Sequence, residues 1–138
     1  MRCESSKLGA RSKAPSSELQ ASSSDCVISA DVVSKDAKNP ALFVMSSNGY
    51  GKKTKLSEYK VQGRGGSGIL TMNVTPKTGS LMAAKVVTDD VEEIVAMSKK
   101  SQVIRVALTE IPTLSRATQG VRVMKLRDGD QLASLICL

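Results

Sequence analysis

Beyond residue 26, short β-branched and aliphatic runs alternate with turns rich in Gly, Ser, Asn and Lys. Val27 to Val33 reads as a first strand, followed by a polar turn over Ser34 to Pro40. Leu42-Phe43-Val44-Met45-Ser46 has high β propensity. Ser47-Asn48-Gly49-Tyr50-Gly51 comes next, and Asn-Gly between strand-like runs is a strong hairpin signal. The spacing predicts a return strand over Lys52 to Leu56, then strands over Ile69 to Val74, Leu81 to Val87 and from Ile94. Pro76 to Gly79 is a turn. Residues 1–26 differ: eight serines, scattered Lys and Arg, and almost no apolar positions. Such a stretch buries too little to offset its ordering entropy, so it is expected to be disordered. Glu4, Glu18 and Asp25 argue against a transit peptide.

Shifted by 52 residues, the chain matches itself without a gap. Met45-Ser46 falls on Met97-Ser98, Lys53 on Arg105, Leu56 on Leu108 and Glu58 on Glu110. Arg64 falls on Arg116, Gly68 on Gly120, Met72 on Met124 and Val74 on Leu126. A period near this length, built of about four short strands, marks a propeller blade. The expected fold is therefore all-β: two propeller blades of short antiparallel strands, over 27–90 and 91–138, behind the disordered segment 1–26. Two blades cannot close a ring. Their free edges invite self-association, and the chain reads as a terminal fragment of something larger.

Composition narrows the partners. Lys and Arg total 20 against 13 Asp and Glu, a net charge of +7 with a pI near 9.5. That balance favours a polyanion, nucleic acid first. Aromatic residues are 2% of the chain, so no platform exists for stacking unpaired bases, and the core must come from Val, Ile, Leu, Met and Ala. No apolar run is long enough to span a membrane, and the first residues lack a secretory h-region. Cys3, Cys26 and Cys137 are widely spaced and no histidine is present, which argues for free thiols in a reducing cytoplasm and against a metal site or cofactor. Without histidine a Ser-His triad is excluded, and no GxxxxGK[ST] supports nucleotide hydrolysis. Asp89, Asp90, Glu92 and Glu93, like Asp128-Gly129-Asp130, read as solvated acidic turns.

The densest chemistry lies in Gln62-Gly63-Arg64-Gly65-Gly66-Ser67-Gly68, where four glycines surround an arginine. Glycine lets main-chain N–H groups approach an anion; a plain flexible turn is the competing reading. Lys52, Lys53, Lys55, Lys60 and Arg64 place five cations in thirteen residues against Glu58 alone. The second repeat supplies Lys99, Lys100, Arg105, Arg116 and Arg122. Equivalent positions of adjacent blades line one rim, so the two sets are expected to form one stripe that binds bent duplex phosphate without sequence preference.

Asn48-Gly49-Tyr50-Gly51-Lys52-Lys53-Thr54, Leu56-Ser57-Glu58-Tyr59 and Gln62–Gly68 closely resemble the C-terminal domain of bacterial DNA gyrase A. Arg116-Ala117-Thr118-Gln119-Gly120-Val121-Arg122, with Leu126 and Asp128-Gly129-Asp130, is similar to that domain's final repeat. The resemblance covers about residues 30–135. It implies a β-pinwheel of six blades around whose basic rim DNA wraps, so that the enzyme can supercoil it. In the family's strongest heptapeptide the second residue is Arg and the sixth is basic. Here Gly63 and Ser67 stand there, so the stretch looks like the weaker form of a later blade, and the chain reads as the last two blades. The implied function is that of a DNA-wrapping fragment of a type II topoisomerase. Lys52, Lys53, Lys55, Gln62, Arg64, Gly65, Gly66, Gly68, Arg105, Arg116 and Arg122 are its candidate contacts. Double-stranded DNA and the remaining gyrase A and B domains are its partners. Two alternatives stay open: the equivalent domain of topoisomerase IV, and a structural or interaction remnant that binds no DNA. Tyr50 and Tyr59 lack the context of a cleavage tyrosine, so the chain alone is not expected to cut DNA.

Overall fold

The computed structural model describes residues 26–138, and the segment 1–26, expected to be disordered, falls almost wholly outside them. It holds seven strands and two short 3-10 turns: β1 Ala41–Ser46, β2 Tyr50–Lys55, β3 Leu81–Val87, β4 Glu93–Ser98, β5 Val103–Ala107, β6 Val121–Arg122 and β7 Leu132–Cys137. Two antiparallel sheets result, ordered β3-β1-β2-β6 and β5-β4-β7. The repeat seen in the sequence is a repeat of structure. β1 pairs with β2 from Ala41 opposite Lys55 to Met45 opposite Gly51. Fifty-two residues on, β4 pairs with β5 from Glu93 opposite Ala107 to Met97 opposite Val103. The bulge at Met45/Ser46 returns at Met97/Ser98, and the 3-10 turn Leu56–Glu58 returns as Leu108–Glu110.

Asn48-Gly49 forms the β1–β2 turn, with Gly49 at φ +82°. Ser46 Oγ accepts from the Tyr50 amide across this turn at 3.3 Å, and Ser98 Oγ accepts from the Gln102 amide at 3.0 Å in the second repeat. β1 and β4 are the central strands. Phe43, Val44 and Met45 are all fully buried because β1 is covered on both faces. Phe43 and Met45 join Ile94, Ala96, Leu108, Ile111, Met124 and Leu132 in the core between the repeats, whereas Val44 faces the other way onto Tyr50 and Met72. The sole phenylalanine thus sits at the centre of a core otherwise built from aliphatic residues and methionine.

Two predicted strands do not form. Residues 27–33 are irregular and mostly exposed. They lie along β3 through side chains: Ser29 Oγ donates to the Ala84 carbonyl at 2.6 Å, and Asp31 accepts from the Val86 amide at 3.0 Å. β propensity without a backbone ladder does not make a strand. Ile69 to Val74 is also irregular. Its counterpart in the second repeat is β6, and β6 does not join its own repeat's sheet. It crosses to β2 of the first, with Tyr50 opposite Arg122 and Gly51 opposite Val121. Among the described residues no strand pairs with Ile69 to Val74. Among the described residues no helix is long and apolar enough to cross a membrane.

Candidate nucleic-acid interface

The basic residues separate into those the fold consumes and those it leaves outward. Lys52 is consumed: although it lies in a run of lysines on β2, its side chain is fully buried. Its ammonium donates to the carbonyls of Ser115 at 2.6 Å and Arg116 at 2.7 Å, and to Thr118 Oγ1 at 3.0 Å. Burial pulls its pKa down to about 8, against a smaller opposing pull from Glu58. With three donors given to three acceptors, it has none for a phosphate. Lys53 Nζ donates to the Leu108 carbonyl at 2.8 Å, while its main chain binds Pro112 and Leu114. These two lysines seam the first repeat to the second.

Arg105, the counterpart of Lys53, is ion-paired to Glu93 across β4 and β5. Arg116 lies 4.0 Å from Glu58 and is half-buried. The Gln62–Gly68 loop is closed by its own glutamine: Gln62 Oε1 accepts from the Gly68 amide at 3.0 Å. Gly65 and Gly68 have φ of +78° and +76°, and a Cβ on Gly66 would run into the Gln62 side chain. The loop is therefore a shaped turn with Arg64 at its exposed tip. Lys55, Lys60 and Arg64 are exposed and, among the described residues, without hydrogen-bond or ion-pair partners for their side chains.

A second group of cations gathers at a cleft to which the sequence pattern does not point. It is lined by Tyr50, Lys77, Arg122, Lys125, Arg127 and Asp128, among others. Arg122 Nη2 donates to Tyr50 Oη at 3.1 Å, and its guanidinium carbon lies 5.6 Å from the ring centroid; Lys77 Nζ lies 5.7 Å from it. The Arg122 guanidinium holds the Tyr50 phenol below its ordinary value of 10. Arg122 is among the contacts expected from the sequence. Lys77, Lys125 and Arg127 are not, because they sit in turns and irregular segments distant from the glycine loop. Tyr50, a turn residue in the sequence pattern, is the surface on which two cations of different repeats meet.

The acidic turns also differ from expectation. Asp130 is buried, not solvated. Burial pushes its carboxyl up, but the Ser98 hydroxyl and the amides of Gln131 and Lys100 outweigh that and hold it below the usual carboxylate range. It pins β7's approach to the β4–β5 turn. Asp89 accepts from Asn39 Nδ2 at 2.8 Å, and Glu93 is taken by Arg105, so these carboxylates serve separate partners. Tyr59 Oη shares a hydrogen bond with Thr71 Oγ1, and Cys26 and Cys137 are free thiols.

The family described as DNA gyrase C-terminal domain, beta-propeller, matches residues 41–88 and again 92–138. The A subunit of DNA gyrase from Lawsonia intracellularis is 40% identical over 105 residues, and that from Mycolicibacterium smegmatis is 43% identical over 111. These matches cover 76% and 80% of this chain but 13% of each relative, so the chain spans about an eighth of their length. A solved DNA gyrase A C-terminal domain superposes with a TM-score of 0.66 at 32% identity, over 72% of this chain and 33% of that one. The C-terminal domain of DNA topoisomerase IV follows with a TM-score of 0.65 at 25% identity, over 75% of this chain and 32% of that one.

Proposed function

We propose, for a chain that belongs to the DNA gyrase C-terminal domain, beta-propeller family, that it binds duplex DNA through phosphate contacts and serves a type II topoisomerase as a wrapping segment. The observation that carries this reading is the cleft around Tyr50, where Lys77 and Arg122 flank one ring and Lys125 and Arg127 stand alongside. Arg64, Lys55 and Lys60 supply further outward charge. Lys52 and Lys53 support the interface from inside by fixing the Ser115–Thr118 loop and the Leu108 turn. Asp128 lines the same cleft, and Lys100 donates to its carbonyl at 2.8 Å, which keeps cationic charge close to it. No base-reading helix is present among the described residues, so binding follows backbone and bend. The proposed setting is cytoplasmic, alongside the remaining gyrase A and B domains.

Fluorescence anisotropy with a labelled duplex across a salt series tests this. The expected result is a logarithm of affinity falling linearly with the logarithm of salt, by about 0.9 per phosphate contacted. A folded chain that leaves the duplex free at the lowest salt overturns it.

A further inference from the structure

Asn48 sits in the β1–β2 turn, yet its side chain holds a different turn. Its Nδ2 donates to the Lys77 carbonyl at 3.0 Å and to the Pro76 carbonyl at 3.4 Å. Its own amide donates to the Thr78 carbonyl at 3.1 Å. The turn so held carries Lys77, whose ammonium lies 5.7 Å from the Tyr50 ring centroid. We infer that Asn48 is a modification site: hydrolysis of its side-chain amide, aided by the glycine that follows it, frees the Lys77 turn and withdraws a cation from the Tyr50 cleft. Its effect on duplex binding rests on the proposed seating of phosphates in that cleft.

The second repeat shows what the clamp requires. Fifty-two residues on, Lys100 stands in the place of Asn48 and Asp128 in that of Pro76. Lys100 Nζ donates to the Asp128 carbonyl at 2.8 Å, and its amide donates to Asp130 Oδ1 at 3.0 Å. Each repeat therefore holds its later turn with a nitrogen donor from its hairpin. The donor in the second repeat is an ammonium, which water does not cleave. In the first it is a carboxamide followed by Gly49, whose lack of a Cβ leaves ring closure uncrowded. The Gly49 nitrogen attacks Asn48 Cγ. An N–C bond forms, the Cγ–Nδ2 bond breaks, and Nδ2 leaves as ammonia with the Gly49 amide proton. Water then opens the five-membered imide at either carbonyl, giving an aspartyl or isoaspartyl residue at position 48. Either product faces the two carbonyls with acceptors alone, and puts a negative charge beside Lys77, Arg122, Lys125 and Arg127. In the closed turn the Gly49 amide donates to the Ser46 carbonyl at 3.0 Å, so the reaction runs through local openings of the turn. A duplex that engages Lys77 holds the turn closed and slows it.

The test ages the full chain in mildly alkaline buffer and follows it by peptide mapping with isoaspartate detection, beside Asn48→Asp and Asn48→Lys. Asn48 is expected to hydrolyse well ahead of Asn39 and Asn73, which precede Pro40 and Val74, and more slowly with duplex present. In the aged chain and in Asn48→Asp, the Thr78 and Gly79 amides should exchange at least about tenfold faster than in the fresh chain. Lys77 helps to hold the Tyr50 phenol down, so the Tyr50 titration should move up in both. The salt slope of duplex binding should fall by about 0.9. Asn48→Lys, which borrows the clamp of Lys100, is expected to keep the fresh chain's exchange and slope and not to age. An Asn48 that lasts as long as Asn39 and Asn73 overturns the proposal. So does an Asn48→Asp chain that unfolds cooperatively yet keeps the fresh chain's exchange, or that loosens the turn and keeps its salt slope. If Asn48→Asp does not fold, the aged chain set against Asn48→Lys makes the same comparison. A fresh chain that binds no duplex counts against the DNA reading, and exchange and the Tyr50 titration then decide the clamp alone.

Discussion

Lys52 Nζ donates to the main-chain carbonyl of Arg116 at 2.7 Å, across two repeats and 64 residues of sequence. A residue that reads as one of a run of surface lysines is a buried clamp on the loop that carries the next repeat's arginine. Replacing it by methionine keeps most of the stem and strands the Arg116 carbonyl, while the Ser115 carbonyl still accepts from Thr118 Oγ1 at 2.9 Å. The expected cost is about 2 kcal/mol of stability, read as a lowered urea midpoint. DNA affinity should fall as well, since the Arg116 loop loses its anchor.

The same lysine makes stability depend on pH. In the unfolded chain it holds its proton up to its ordinary 10.5, whereas in the fold it releases it from about 8. Between these values the unfolded state binds more protons, so raising the pH favours the fold. Measured against Lys52→Met, the unaltered chain's urea midpoint is expected to climb from pH 8 to pH 10.5 and to stay level below pH 8. A relative midpoint that falls through this window would contradict the assignment.

Glycines here fall into two kinds, and alanine separates them. Gly49 combines φ +82° with the Met124 backbone packed against it, so Gly49→Ala is expected to cost about 2–4 kcal/mol through strain and displacement of β6. Gly63 has open space around it and no positive φ. Gly63→Ala should be neutral or stabilise by about 0.4–1 kcal/mol, by narrowing the unfolded ensemble. Thermal unfolding of the pair decides it.

Charge removal should distinguish outward from occupied cations. Arg64→Ala and Arg122→Ala are each expected to weaken duplex binding and to reduce the salt slope by about 0.9. Arg105→Ala removes a cation already paired with Glu93 and should leave the slope unchanged, at a stability cost under about 1 kcal/mol. A slope that drops equally for all three would count against the Tyr50 cleft as the contact surface.

Tyr50 offers a spectroscopic readout of that cleft. Arg122 holds its phenol below 10, so its ultraviolet titration should move up in Arg122→Ala. The unfolded chain keeps the phenolic proton to higher pH, so this contact adds stability as the pH rises through the lowered value. Duplex DNA, by neutralising Arg122, is expected to shift the same titration upward.

Much of the fold is legible in the sequence because its signals are local. β1, β2, β3 and β4 follow from apolar runs and from Asn48-Gly49, which supplies the turn that joins the first two. The 52-residue period identifies the repeat, and the heptapeptide with the Asn48–Thr54 run points to the gyrase family. The strand expected at Val27–Val33 fails although the edge of β3 is beside it, because the Ser29 and Asp31 side chains take that edge's Ala84 carbonyl and Val86 amide; the one expected at Ile69–Val74 pairs with no strand among the described residues. Propensity reports neither outcome. The expectation for Asp130 fails because a turn residue is solvated only if nothing folds over it.

The sequence by itself determined the repeat, the class of the fold, the family and the sign of the charge, because each is written in residue type and spacing. Only the tertiary structure decided which cations face outward. Lys52 and Lys53 turn into the seam, Arg105 is neutralised, and Arg122 meets Lys77 over Tyr50. The placing of Lys52 and Arg122 depends on the segment leading into β6 crossing to the preceding sheet, whereas the Arg105 pair forms within the β4–β5 hairpin. A pairing between segments so far apart in the chain is set by close approach at Gly49 and Gly51, which no local pattern encodes.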